Sequence, residues 1–259
     1  MEKMNKQTLI ELFEANAHKL TYARIENGRY LGWMGDLGLV DANGNHLGLD
    51  LDNEKDRFLL FVCAIAWSRP GFWENAVYLT AFLKDSDLTD VKEWRKDSFI
   101  YGQVVSRKEN ALKARESFQG INPRKAISFR KDVFKSIQIL AKNWSELKEK
   151  LNEVSKTGDF YAFASYLRSI EGLGVGKNKM LIKIPLILRE LKCSGFYPNI
   201  PGELCCIPDK RVKDAANKLG FSLPSNTSLE NVFRSSKIIF SLFGDYYDMP
   251  LFAYDDIIL

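Results

Sequence analysis

Apolar residues recur at helical spacing along most of the chain. Between Thr8 and Lys19 they fall at Leu9, Leu12, Phe13 and Ala17, the one-sided stripe of a surface helix. Lys55 to Trp67 is apolar almost throughout and predicts a buried helix, broken at Ser68-Arg69-Pro70-Gly71. A second helix is predicted from Phe72 to Leu83, another from Tyr161 to Ser169, and another from Lys177 to Leu191 with a kink at Pro185. Lys210 begins a helix that runs through Ala215, Ala216 and Leu219 to a stop at Gly220. Asn27 to Leu51 breaks the pattern, with glycines at 28, 32, 35, 38, 44 and 48. Asp41-Ala42-Asn43-Gly44-Asn45 is turn chemistry, so loops and a small hairpin are expected there. The fold class read from this pattern is mostly α.

The 259 residues are enough for one large domain or two lobes, and 46% hydrophobic content supplies a core. The net charge of +4 is compatible with a polyanionic partner without requiring one. Charges scattered through Met1 to Leu20 argue against a signal peptide, and the longest apolar run, Phe58 to Trp67, is about half a membrane span. The expectation is no membrane and a cytoplasmic location. Cys63, Cys193, Cys205 and Cys206 show no Cys-x-x-Cys spacing, which argues against a structural metal site and for a reducing compartment. His18 and His46 are isolated and carry no assigned chemistry, so neither a metal nor a cofactor is expected.

Phe118 to Lys150 holds eight Lys or Arg against three Asp or Glu, interleaved with Phe129, Phe134 and Trp144. Two readings stand: a surface that tracks a phosphate backbone, or an amphipathic helix pair with its aromatics in the core and its lysines in water.

The strongest local signal is Ile170-Glu171-Gly172-Leu173-Gly174-Val175-Gly176-Lys177-Asn178-Lys179. Gly172, Gly174 and Gly176 allow a tight reversal between two helices. Free amides at the start of the second helix, together with Asn178, form an anion site suited to a DNA phosphate. A plain turn between packed helices uses the same residues. Downstream, Pro208 fixes the entry to a helix, and Asp209 falls at its N-cap, followed by Lys210, Arg211 and Val212.

A glycine hairpin followed by such an aspartate resembles the signature of helix-hairpin-helix DNA glycosylases, and within them the archaeal 8-oxoguanine DNA glycosylases. Four segments carry the likeness. Arg57 to Trp73 resembles the first core helices, and Asn110-Ala111-Leu112-Lys113-Ala114 an Arg-Ala-Leu-Lys-Ala run. Cys206 to Val212 resembles Ile-Pro-Val-Asp-x-Arg-Val, and Pro250 to Leu259 a closing Pro-Pro-Leu-His-Leu-Asp run. Phe118 to Thr157 looks like an insertion relative to that family.

The resemblance implies a two-lobed helical glycosylase fold with a DNA-binding cleft between the lobes. One lobe would combine residues 1–57 and 213–259; the other, 58–212, would carry the hairpin (about 161–191) and Asp209. It also implies a monomer that flips a modified base out of double-stranded DNA. Asp209 would stabilise charge on the sugar, and a lysine would serve as nucleophile if the enzyme is also a lyase. Lys179 stands close to the family spacing and Lys177 is the alternative. The commoner register of the superfamily falls on Asn178, and without a lysine the nucleophile is water. Arg211 and the hairpin glycines would contact DNA.

The base pocket implied by the resemblance comprises Arg29, Trp67, Trp73, Lys183 and Asp255. Lys183 and Leu259 stand where the family has aromatics, and Arg29 where it has a glutamine. That exchange suits a base more polar or bulkier than 8-oxoguanine, such as a glucosylated hydroxymethylcytosine of phage DNA removed in antiphage defence; 8-oxoguanine removed in base excision repair is the other reading. A non-catalytic helix-hairpin-helix protein that binds DNA without cutting it is the alternative in a different class; it would not need Asp209.

Overall fold

A computed structural model describes residues 5–20, 22–33, 48–69, 73–86, 88–106, 130–173 and 181–258. The chain is mostly helical, and its contacts divide it into two compact units: Met34–Met180, and Met1–Trp33 with Leu181–Leu259. No helix among the described residues is long and apolar enough to cross a membrane.

In the unit formed by Met1–Trp33 and Leu181–Leu259, α1 spans Lys6–Asn16 and continues as a single 3-10 turn, Ala17–Lys19. The Asn5 side chain caps it at the Thr8 amide, and Leu9 and Phe13 are fully buried. The hairpin falls at the edge of the glycine-rich stretch: β1 (Ile25–Glu26) pairs antiparallel with β2 (Arg29–Tyr30) across the Asn27-Gly28 turn. Asp41 to Asn45 lies outside the described residues. After a 3-10 turn at Leu181–Lys183 come α2 (Ile184–Cys193), α3 (Lys210–Lys218), α4 (Leu229–Phe243), α5 (Met249–Phe252) and α6 (Tyr254–Ile258). The α3 helix packs on α5, and α1 on both α5 and α6, so the two ends of the chain share one core.

Pro185 does not kink a long helix as its sequence context predicts. It occupies the first turn of α2, where a missing N–H costs nothing because that donor has no partner within the helix. The α2 helix is buried from Ile184 to Leu191, two charged residues included.

The unit Met34–Met180 contains α7 (Glu54–Trp67), α8 (Trp73–Asp85), α9 (Val91–Arg95), α10 (Lys131–Thr157) and α11 (Phe160–Ser169). Asn53 caps α7 through the Lys55 amide, and nine of its residues are buried. The α10 helix spans 27 residues, about 40 Å at 1.5 Å per residue; the part of the basic stretch before Arg130 lies outside the described residues. Trp144 meets Phe58 and Phe61 edge-on with centroids 5.3 and 5.4 Å apart, and its indole N–H donates to Glu54. Phe134 packs with Trp94 and Phe99. Of the two readings of this basic stretch, Phe134 and Trp144 follow the second: they form core, with each buried large side chain worth roughly 1.5–3 kcal/mol. Phe129 lies outside the described residues.

By contact density the chain divides at 33/34 and 180/181. Leu181 to Val212 joins the unit made from both termini because the 3-10 turn at Leu181–Lys183 packs on α4 and the Asp209-capped α3 packs on α5. These contacts between distant segments leave no mark in local periodicity.

Candidate active site

Asp209 is the N-cap of α3. Its Oδ1 accepts from the Val212 amide at 3.1 Å, which satisfies one of the free donors of the first turn and holds the carboxylate in one orientation. The preceding carbonyl, Pro208 O, accepts from the Asn226 side-chain amide at 2.6 Å. The second carboxylate oxygen, Oδ2, is left facing Lys183 Nζ at 3.7 Å.

Lys183 closes the 3-10 turn ahead of α2 and is 4% exposed. Burial lowers its amine below the ordinary lysine range, because an ammonium is costly away from water; the nearby Asp209 and Asp248 carboxylates pull the other way. A lysine so placed is more readily neutral than one on the surface, and a neutral amine is a nucleophile.

Behind this pair lies a second set of buried charges. Arg189 donates from Nη1 to Asp248 Oδ1 at 2.9 Å and lies 3.3 Å from Glu190 Oε1, all three side chains being almost fully buried. Asp248 Oδ1 also accepts from the Ile207 amide at 3.0 Å, and Glu190 Oε2 from the Trp33 amide at 3.0 Å. The Arg189 guanidinium sits 5.0 Å from the centroid of the Tyr30 ring. Gly32 is required at this junction: its φ is +77°, and a Cβ there would come within 2.5 Å of Glu190 Oε2. Burial pushes the Cys193 thiol up to about 12, so that sulfur is protonated and unreactive.

No protein-family model, no curated protein and no solved structure matches the chain.

Of the residues singled out in the sequence, the structure brings together Lys183 and Asp209. Arg29 lies in β2 with its side chain 70% exposed and faces Asp245 at 3.7 Å. Asp255 pairs with Lys218 at 2.7 Å. Both are engaged in ion pairs at the surface. Arg211, expected to meet DNA, is held at 2.5 Å by Asp256 and lies over the Phe252 ring at 4.6 Å. Trp67 is half-buried at the last position of α7, and the side chain of Trp73, the first residue of α8, lies outside the described residues. Gly174, Gly176, Lys177, Asn178 and Lys179 also lie outside them.

Gly172 is described, and its surroundings explain the residue. Its φ is +84°, and a Cβ would come within 2.4 Å of Ile139 Cδ1 on α10. Its carbonyl accepts from Ser136 Oγ, and that of Leu173 from Arg69 Nη1 at 2.9 Å. Arg69 is buried and donates also to Ile65 O, Ser68 Oγ, Ser136 Oγ and Asp132. The entry to the glycine turn is thus tied to the ends of α7 and α10.

Sequence reading overlooked Arg189 and Asp248, and gave Lys183 a different role. The available signal was the charged residues at 183, 189 and 190 inside the apolar run Leu181 to Leu191, where a surface helix would not carry them on its buried face.

Proposed function

We propose that the chain is a DNA N-glycosylase that excises a modified base and also cleaves the resulting abasic strand. The observation that carries this reading is the buried Lys183 amine facing the Asp209 carboxylate at 3.7 Å. One group is a nucleophile of lowered proton affinity, and the other is an anion fixed by a helix N-terminus. These are the two functions that breaking and replacing a bond to a sugar C1′ demands.

The chemistry follows from the pair. Asp209 stabilises the positive charge that develops on the sugar as the bond to the base breaks. The Lys183 nitrogen attacks C1′, the base departs with the bonding electrons and takes up a proton, and the amine's surplus proton passes to Asp209 or water. Ring opening gives an iminium between Lys183 and C1′. Loss of a C2′ proton then expels the 3′ phosphate, and water hydrolyses the imine to regenerate the lysine. In this reading Lys183 takes the part for which Lys179 and Lys177 were the sequence candidates.

The glycine pattern from Gly172 to Asn178 supports contact with a phosphate of double-stranded DNA carrying the flipped base. A monomer suffices for this. With Lys183 in the nucleophile's part, the substrate reading rests on Leu259 in place of a family aromatic, which supports a base bulkier or more polar than 8-oxoguanine, a hypermodified phage base among them.

The test is incubation with duplexes carrying different modified bases, read by mass spectrometry of the freed base and by borohydride trapping of the protein on an abasic duplex. Base release together with a covalent adduct lost in Lys183→Met supports the reading. DNA binding with neither outcome returns the chain to the non-catalytic class.

A further inference from the structure

We infer that Asp248 is a positioning residue for the Lys183–Asp209 pair, holding the segment that presents Asp209 and keeping a compensating charge behind Lys183. The inference rests on the proposed function and assigns a residue that neither motif nor spacing marks.

Three observations point there. First, Asp248 stands at the N-cap of α5 yet makes no side-chain bond to that helix, although a carboxylate at such a position ordinarily accepts from the helix's own amides. Its Oδ1 is turned instead to the Ile207 amide, 41 positions away in sequence, at 3.0 Å. Ile207, Pro208 and Asp209 are consecutive. The Asp209 amide bonds in turn to Ile207 O, so Asp248 anchors the short turn from which the Asp209 carboxylate projects.

Second, Asp248 is 1% exposed and bonded to Arg189, which is itself almost fully buried. A buried ion pair is weak evidence of a gain in stability, since apolar residues of the same volume commonly serve as well. Its retention next to a reactive amine calls for a different reason.

Third, among the described residues the charges that act on Lys183 include Asp209, Asp248 and Arg189. The two carboxylates favour the ammonium and Arg189 disfavours it. Neutralising Asp248 removes one of the two charges that favour the ammonium and leaves Arg189 paired with Glu190 alone among these carboxylates. The amine then loses its proton at lower pH.

Two substitutions separate the roles. Asp248→Asn keeps an oxygen acceptor for the Ile207 amide and removes the charge. Asp248→Glu keeps the charge and displaces the acceptor by one methylene. The readout is the rate of borohydride-trapped imine formation on a duplex carrying an abasic site, measured from pH 5 to 10, with DNA affinity measured in parallel. For Asp248→Asn the acid limb should move down by about one pH unit. For Asp248→Glu the limb should stay in place while the rate falls about 10-fold or more, with affinity within about 3-fold of wild type. A limb unmoved in Asp248→Asn, or a wild-type rate in Asp248→Glu, overturns the inference. If Asp248→Asn does not fold, Asp248→Glu decides it. A wild-type protein that forms no adduct brings down the proposed function, and the inference with it. Adduct formation that neither variant alters brings down the inference alone.

Discussion

The Lys183 amine lies 3.7 Å from Oδ2 of Asp209, while the Val212 amide bonds to the other carboxylate oxygen, Oδ1. One oxygen of Asp209 therefore caps the helix, and the other is the one the proposed reaction would use. The two roles respond differently to substitution.

Asp209→Asn keeps the cap, because asparagine is as good an N-cap as aspartate, and removes the negative charge. Single-turnover base release should fall by about 10²–10⁴-fold, while duplex affinity stays within about 3-fold. Wild-type release rates in this variant would remove Asp209 from the reaction.

Lys183→Met replaces a buried amine by an apolar side chain of similar length. The adduct should vanish while the thermal midpoint holds or rises at pH 7, since the variant no longer buries an ammonium. A drop of many degrees would mean that Lys183 serves the fold.

The same lysine leaves a mark on stability against pH. Its proton affinity in the fold is lowered from the ordinary 10.5, chiefly by burial. Between the folded value and 10.5 the unfolded chain binds more protons than the folded one, so stability rises with pH across that window. Below the folded value both states are protonated and the penalty is complete; above 10.5 it is gone. Urea titrations at intervals from pH 7 to 10.5 should show this rise in wild type and its loss in Lys183→Met.

Arg69→Ala should destabilise the unit Met34–Met180 by about 3 kcal/mol or more. It removes the guanidinium's bond to the Leu173 carbonyl and one partner each from Ile65 O, Asp132 and Ser136. Chemical denaturation measures the loss directly. An effect below about 1 kcal/mol would show that water replaces the guanidinium without cost.

Gly172→Ala meets two obstacles, a left-handed φ of +84° and Ile139 Cδ1 at 2.4 Å. Each is worth about 1–2 kcal/mol. Adding Ile139→Ala removes the second but not the first, so the double variant should recover the steric part alone once the cost of Ile139→Ala by itself is subtracted. Full recovery would argue that the turn relaxes its backbone.

Periodicity and capping chemistry made much of the fold legible. The helix ending at Trp67 and the helix entered through Asp209 lie where their patterns place them, because both signals arise from residues a few positions apart. Pro185 was misread for a related reason. A proline disrupts a helix interior and suits a first turn, and only the start of α2 at Ile184 separates the two. The basic stretch from Phe118 to Lys150 was legible in charge but ambiguous in direction, until Trp144 was found against Phe58 and Phe61.

By itself the sequence determined that the protein is mostly helical, that Asp209 opens a helix, and that glycines crowd one turn. Those properties depend on local backbone preference and on neighbours within a helical turn. Tertiary structure alone decided that Lys183 faces Asp209 and that Asp248 reaches Ile207. It also decided that Arg29, Arg211 and Asp255 spend their charges on other partners. The buried ion pair of Lys183 and the hydrogen bond of Asp248 join segments 26 and 41 positions apart, and their strength depends on exclusion of water, which no run of adjacent residues encodes.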